Sequence, residues 1–143
     1  MTETIKKQIS EIGLKSMLKR HEGFSATPYR CSAGKWTIGH GHSMQHGGMV
    51  ISRHVADVIL DEDVHLAIFQ YDSLGLRLGQ AQQDVCVNMI FNLGLKGLLG
   101  FKKMLTALEQ QDYETAADEM IDSLWAEQVK DRAIELAEIM RNG

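Results

Sequence analysis

One proline and two cysteines in 143 residues limit what this chain can be. A single proline excludes long proline-rich linkers, and 44% hydrophobic content over this length is enough for one compact domain with a sizeable core. Cys31 and Cys86 stand in different halves of the chain and make no disulfide framework, which predicts a reducing compartment. Cys86 falls in an apolar stretch and reads as a small core hydrophobe. The formal charge of -4 is mild and no block of five or more like charges occurs, which argues against a nucleic-acid binder. No apolar run reaches transmembrane length, and Met1 to Gln8 lacks the apolar core of a signal peptide, so neither a membrane anchor nor a Sec-type leader is expected. Internal repeats are absent as well.

The densest information lies between Glu22 and His42. Ser10 is a suitable N-cap, Leu14, Met17, Leu18 and His21 recur at helical spacing, and Gly23 stops the run, so a helix is expected from about 10 to 22. A carboxyl in the last turn faces the negative end of the helix dipole, which disfavours ionisation and makes Glu22 a candidate general acid. Tyr29 to Ser32 and Trp36 to His40 have strand-like content, and the loop Ala33-Gly34-Lys35 would set Cys31 opposite Thr37. Gly39 and Gly41 carry no side chains, so a bulky ligand has room to approach that backbone.

Beyond residue 50 the pattern is helical. Ser52 caps a helix to about Tyr71, with Val55, Val58, Ile59, Leu66 and Ile68 as a partly periodic apolar face. Ala81 to Leu93 is apolar nearly all round and reads as a buried central helix ended by Gly94. Further helices are expected near 98 to 110, 113 to 124 and 127 to 141. The chain thus divides into a small lobe at about 10–50, a connecting helix at about 53–71 and a helical lobe at about 72–143, all in one domain, 1–143.

His40, His42 and His46 invite a metal reading, since alternate residues of a strand face one side and Cys31 and Glu22 lie nearby in sequence. Their spacing matches no zinc motif, and no metal or other cofactor is expected. A histidine here is better paired with an acid on the following helix, and Asp63 is the candidate for His42. Met44, Met49, Met89, Met104 and Met120 read as core filler.

Glu22, Cys31 and Thr37 are spaced Glu-x8-Cys-x5-Thr, and the filling Lys19-Arg20-His21-Glu22-Gly23, Pro28-Tyr29-Arg30 and Trp36-Thr37-Ile38-Gly39-His40-Gly41-His42 surrounds them. That arrangement resembles the catalytic segment of phage-type lysozymes and endolysins, with Cys31 where most members carry Asp. Phe91-Asn92-Leu93-Gly94, Gly100-Phe101, Trp125, and Arg132 followed by Glu135 continue the resemblance, over roughly residues 10 to 141.

The resemblance implies a lysozyme-like α+β fold, mostly α, and a muramidase that hydrolyses the β-1,4 bond between N-acetylmuramic acid and N-acetylglucosamine. Glu22 would protonate the leaving oxygen, and Thr37 would hold a water on the opposite face, with inversion expected. Cys31 would orient that water in place of the usual carboxylate. Arg132 would pair with Glu22, His42 would take a structural place, and Gly39, Gly41 and Asn92 would contact sugar. Implied as well are peptidoglycan glycan strands as partner, a monomer, host cytoplasm as location before release to the cell wall, and dependence on a holin. Two other readings remain: a peptidoglycan-binding protein that lost catalysis, and a zinc-dependent hydrolase. Many members are basic, so at -4 long-range steering is weak, although Lys19, Arg20, Arg30 and Lys35 offer a local basic rim.

Overall fold

The computed structural model describes residues 2–44 and 50–143; His46 and Met49 of the readings above lie outside them. The elements are α1 (Glu3–Glu22), β1 (Ser25–Arg30), β2 (Trp36–Gly39), β3 (His42–Met44), α2 (Arg53–Asp72), α3 (Gln80–Leu99), α4 (Lys102–Glu109), α5 (Tyr113–Ile121), α6 (Leu124–Val129) and α7 (Asp131–Asn142). This is the mostly helical α+β architecture expected. The chain forms two compact units, Met1–Leu66 and Ala67–Gly143, and α2 contributes to both.

In the first unit α1 starts earlier than the sequence suggests. Thr2, not Ser10, is the N-cap, its hydroxyl accepting from the Ile5 N–H at 3.2 Å. Nothing between Thr2 and Ser10 breaks a helix, so Ser10 is carried in mid-helix while only Leu14 and Leu18 become buried. Gly23 ends the helix as expected, with φ 69° and its N–H on the Lys19 carbonyl at 2.8 Å.

The sheet is antiparallel in the order β1-β2-β3. Pro28 lies on edge strand β1, in the stretch between Ser25 and Tyr29 where the register shifts, a place where its missing N–H disturbs pairing least. The strand expected through His40 ends at Gly39, because the chain reverses at His40-Gly41 and starts again at His42. Gly39 (φ 66°) and Gly41 (φ 83°) flank that reversal, in a region that β-carbons disfavour. Ile38 packs with Ile51 and Ala56, and Phe24, Met44 and Ile59 close the cluster. A Cβ on Gly39 would lie 3.0 Å from the Ala56 Cβ, so the bare glycine lets β2 approach α2. Ser52 caps α2 by accepting from the Val55 N–H at 3.2 Å.

In the second unit the central helix α3 buries Val85, Cys86, Val87, Met89 and Ile90. Gly94 breaks it at φ 77° and ψ 162°, after which a further helical stretch runs to Leu99. The two C-terminal helices expected are three. Ser123 caps α6 through the Ala126 N–H at 3.1 Å, and Lys130 at φ 51° separates α6 from α7. The apolar spacing from Trp125 through Ala133 is continuous, so the left-handed lysine leaves no mark in the pattern. Gln82 ties α3 to α7 by donating to the Met140 carbonyl at 3.1 Å.

One buried group in this unit is unsatisfied. The Tyr71 hydroxyl has no hydrogen-bond partner among the described residues, although the residue is 3% exposed. Removing a lone buried hydroxyl removes its desolvation cost, so Tyr71→Phe is expected to raise stability by up to ~1 kcal/mol. A thermal midpoint that falls in the variant would reveal a partner for the phenol.

Candidate active site

Glu22 is the last residue of α1, and its carboxyl lies on the Gly41 backbone. A Cβ at Gly41 would come within 2.8 Å of Glu22 Cγ, Cδ and Oε2. The turn after β2 is therefore the floor on which this carboxyl rests. The room at Gly39 and Gly41, expected to admit a ligand, is taken up first by Ala56 and Glu22. Gly41→Ala should displace the carboxyl and strain a positive φ. We expect a lower thermal midpoint and at least a ~10-fold loss of turnover, since misplacing a catalytic group by an ångström is that costly. Unchanged turnover in the folded variant would show that the carboxyl's seat does not matter.

Cys31 and Thr37 come together, though not in the register expected. Tyr29 pairs with Thr37 and Arg30 with Trp36, which leaves Cys31 in the turn, its N–H on the Lys35 carbonyl at 2.8 Å. Cys31 and Tyr29 are two residues apart, so Cys31 is a diagonal neighbour of Thr37 on one face of the sheet. The side chains meet all the same. Burial alone would push the Cys31 thiol up, but backbone N–H groups of the turn at Lys35 and Ala33 and the Thr37 hydroxyl outweigh it and hold the thiol below its ordinary value.

Thr37 is 5% exposed, and its Oγ1 lies 3.1 Å from the Lys35 carbonyl. A hydroxyl has one proton and two lone pairs. With the thiol protonated, Thr37 donates to Lys35 and accepts from Cys31; with a thiolate, its proton turns to the sulfur. Tyr29, which sequence reasoning left as a strand residue, also belongs here: burial and then the charges of Glu22 and Cys31 push its phenol up. Only the strand register could have disclosed it, because an i, i+2 relation to Cys31 is legible but its cross-strand partner is not.

The histidines separate. His42 Nδ1 is 2.6 Å from Asp63 Oδ2, the partnership expected, although the ring is half-buried. His40 Nε2 is 2.8 Å from Asp57 Oδ1 instead. The two rings do not share one face of a strand, because the reversal at Gly41 lies between them and each has its own carboxylate. Cys86 is wholly buried, and burial pushes its thiol up to about 12, as suits core filler.

Lys19 and Arg30 of the expected basic rim are engaged. Lys19 Nζ is 3.3 Å from Asp57 Oδ1, and the Arg30 guanidinium lies 4.6 Å over the Trp36 ring while donating to the Gly34 carbonyl at 3.1 Å. In the second unit, Arg132 donates through Nε (3.2 Å) and Nη2 (2.9 Å) to the Oδ1 of fully buried Asn88. Asn92 accepts from Trp125 Nε1 at 2.7 Å. Sequence reasoning missed Asn88, a polar residue inside an apolar helix, whose burial itself demands a partner.

Comparison with known proteins gives the chain's relatives. The family model described as Phage lysozyme matches residues 19–138. The endolysin of Acyrthosiphon pisum secondary endosymbiont phage 1 is 33% identical over 115 residues, which is 79% of this chain and 77% of that protein. Probable T4-type lysozyme 1 of Dictyostelium discoideum is 22% identical over 160 residues, 91% of this chain and 94% of its own length. The pre-baseplate central spike protein Gp5 of Enterobacteria phage T4 is 27% identical over 161 residues, 92% of this chain and 28% of that larger protein.

Proposed function

The chain belongs to the phage lysozyme family, and from that premise we propose that it is an endolysin-type muramidase cutting the β-1,4 bond between N-acetylmuramic acid and N-acetylglucosamine. It is a lysozyme-type glycoside hydrolase, with peptidoglycan as its substrate. The observation that carries the finer reading is the meeting of Cys31 with Thr37 next to Tyr29, whose phenol feels the charges of both Glu22 and Cys31, with the Glu22 carboxyl seated on Gly41.

In this mechanism Glu22 gives its proton to the glycosidic oxygen as the bond to C1 breaks. A water held at the Cys31 sulfur, which Thr37 orients, attacks C1 from the opposite face and inverts it. The sulfur serves as acceptor for the water's proton, and its depressed thiol pKa increases the share of thiolate available for that role. For Asn92 and the Gly39 to Gly41 backbone as sugar contacts, and for Arg132 as support of the acid, the assignment rests on the family resemblance. So do action as a monomer in host lysis, release from the host cytoplasm to the cell wall by a holin, and function of 1–143 as a single lysozyme-like domain.

Mass spectrometry of digested peptidoglycan tests the bond. Reducing N-acetylmuramic acid ends are the expected product. Anhydro ends, reducing N-acetylglucosamine ends or cut stem peptides would each replace the proposal with a different cell-wall activity.

A further inference from the structure

Helix α1 carries apolar residues on two opposite faces, and only one of them is packed. Leu14 and Leu18 are buried, whereas Ile5, Ile9 and Ile12 are 45%, 54% and 65% exposed. The isoleucines recur four and three residues apart, so they form one stripe along the first half of the helix. Leu14 stands nine residues beyond Ile5 and Leu18 nine beyond Ile9, about two and a half turns, which puts the buried pair on the opposite face. Core packing accounts for the leucines and not for the stripe. The match to the phage lysozyme model begins at residue 19, so the stripe also lies outside the part of the chain that carries the family likeness. A single exposed isoleucine is ordinary, but three in register make one apolar patch.

What borders the stripe selects its occupant. The row on one side holds Gln8, Lys15 and Lys19, the row on the other holds Lys6, Gly13 and Arg20, and every charged residue in the two rows is basic. The acids stand elsewhere. Glu11 is turned to His65 of α2 at 2.7 Å, and Glu3 lies on the side of the buried leucines. From Glu3 to Arg20 the helix has five Lys or Arg and two Glu, in a chain whose formal charge is -4, so α1 is a positive element on a negative molecule. A second copy of the chain would set basic rows against basic rows, which like-charge repulsion opposes. An anionic lipid surface satisfies both features, because the isoleucines enter the apolar boundary while the basic rows meet the phosphate headgroups.

We propose that the first half of α1 is a peripheral membrane-docking face, which lays Ile5, Ile9 and Ile12 into an anionic phospholipid bilayer with the flanking basic residues at the headgroups. No single described helix is long and apolar enough to cross a bilayer, so α1 lies along the surface. Docking holds the hydrolase at the membrane and takes no part in bond cleavage. It stands apart from the role of Glu22, so the two can fail separately.

The test is sedimentation of the full chain with vesicles of phosphatidylethanolamine and phosphatidylglycerol, beside vesicles of phosphatidylcholine. Binding to the anionic vesicles is expected to be at least ~10-fold tighter than to the zwitterionic ones and to weaken as salt is added. Ile9→Asn should lose at least ~10-fold in vesicle affinity, and the triple variant Ile5→Asn, Ile9→Asn, Ile12→Asn at least ~100-fold, because each change removes a side chain that enters the lipid. Lys6→Glu should lose at least ~5-fold on anionic vesicles and leave binding to phosphatidylcholine unchanged. All of these variants should hydrolyse purified, lipid-free peptidoglycan within about twofold of wild type, since the stripe lies on exposed helix surface away from Glu22.

Equal affinity for the two kinds of vesicle, no binding to the anionic ones, or a folded triple variant that binds like wild type overturns the proposal. Loss of binding in Lys6→Glu with none in the isoleucine variants would leave a purely electrostatic attachment and overturn it as well. Sedimentation velocity should show a monomer; a dimer that the triple variant dissolves would give the stripe to a second copy of the chain instead of a lipid surface. If the triple variant does not fold, Ile9→Asn and the comparison of the wild type on the two vesicles still decide the matter.

Discussion

Glu22→Gln is expected to keep the fold and lose at least ~100-fold in peptidoglycan hydrolysis, the scale on which a positioned general acid contributes. The amide has the carboxyl's shape and can still rest on Gly41, but it has no proton to give to a leaving oxygen. The measurement is dye release from labelled cell walls beside a thermal melt. A midpoint within a few degrees of wild type locates the loss in chemistry. Activity within threefold of wild type would remove Glu22 from the mechanism, and with it the catalytic meaning of its seat on Gly41.

Cys31 carries the second large effect. Cys31→Ala is expected to lose most activity, because the turn's N–H groups only donate and the Thr37 hydroxyl is a far weaker base for a water's proton than a thiolate. Cys31→Asp should retain a substantial share, since a carboxylate can accept a water's proton in the same turn and the same N–H groups would stabilise its charge. Iodoacetamide should inactivate the wild type with a rate that rises with pH to a midpoint below that of an ordinary thiol, because hydrogen bonds favour the thiolate. The control is internal: Cys86 is buried and its thiol is pushed up to about 12, so Cys31→Asp should resist the reagent. A fully active Cys31→Ala would show that Glu22 and Thr37 suffice. A glycosyl adduct on Cys31 would instead establish covalent catalysis with retention.

The sequence by itself determined the features that depend on neighbours along the chain. Helical spacing ahead of Gly23 places Glu22 at a helix end, Ser52 announces α2, and the apolar run before Gly94 marks a buried helix, since periodicity and capping act within one or two turns. The pairing of His42 with Asp63 was also legible, because a polar ring on a strand beside a core needs an acid and the next helix offers one. Family motifs added the chemistry that Glu22, Cys31 and Thr37 are expected to perform.

Tertiary structure alone decided what depends on distance across elements. Thr2 rather than Ser10 begins α1, because a serine without a competing turn is simply carried by the helix. Lys130 interrupts the last helices through a backbone angle that apolar spacing does not encode. The register that pairs Tyr29 with Thr37 and leaves Cys31 to reach Thr37 diagonally is set by the turn and by the irregularity in β1, where a small shift changes every cross-strand neighbour. The reversal at His40-Gly41 turns one apparent strand into two and sends His40 to Gly23 and Asp57. A residue's neighbours along the chain set its face and its cap; the partners of a buried charge are chosen only when separate elements pack, because burial makes each unsatisfied donor or acceptor too costly to leave alone.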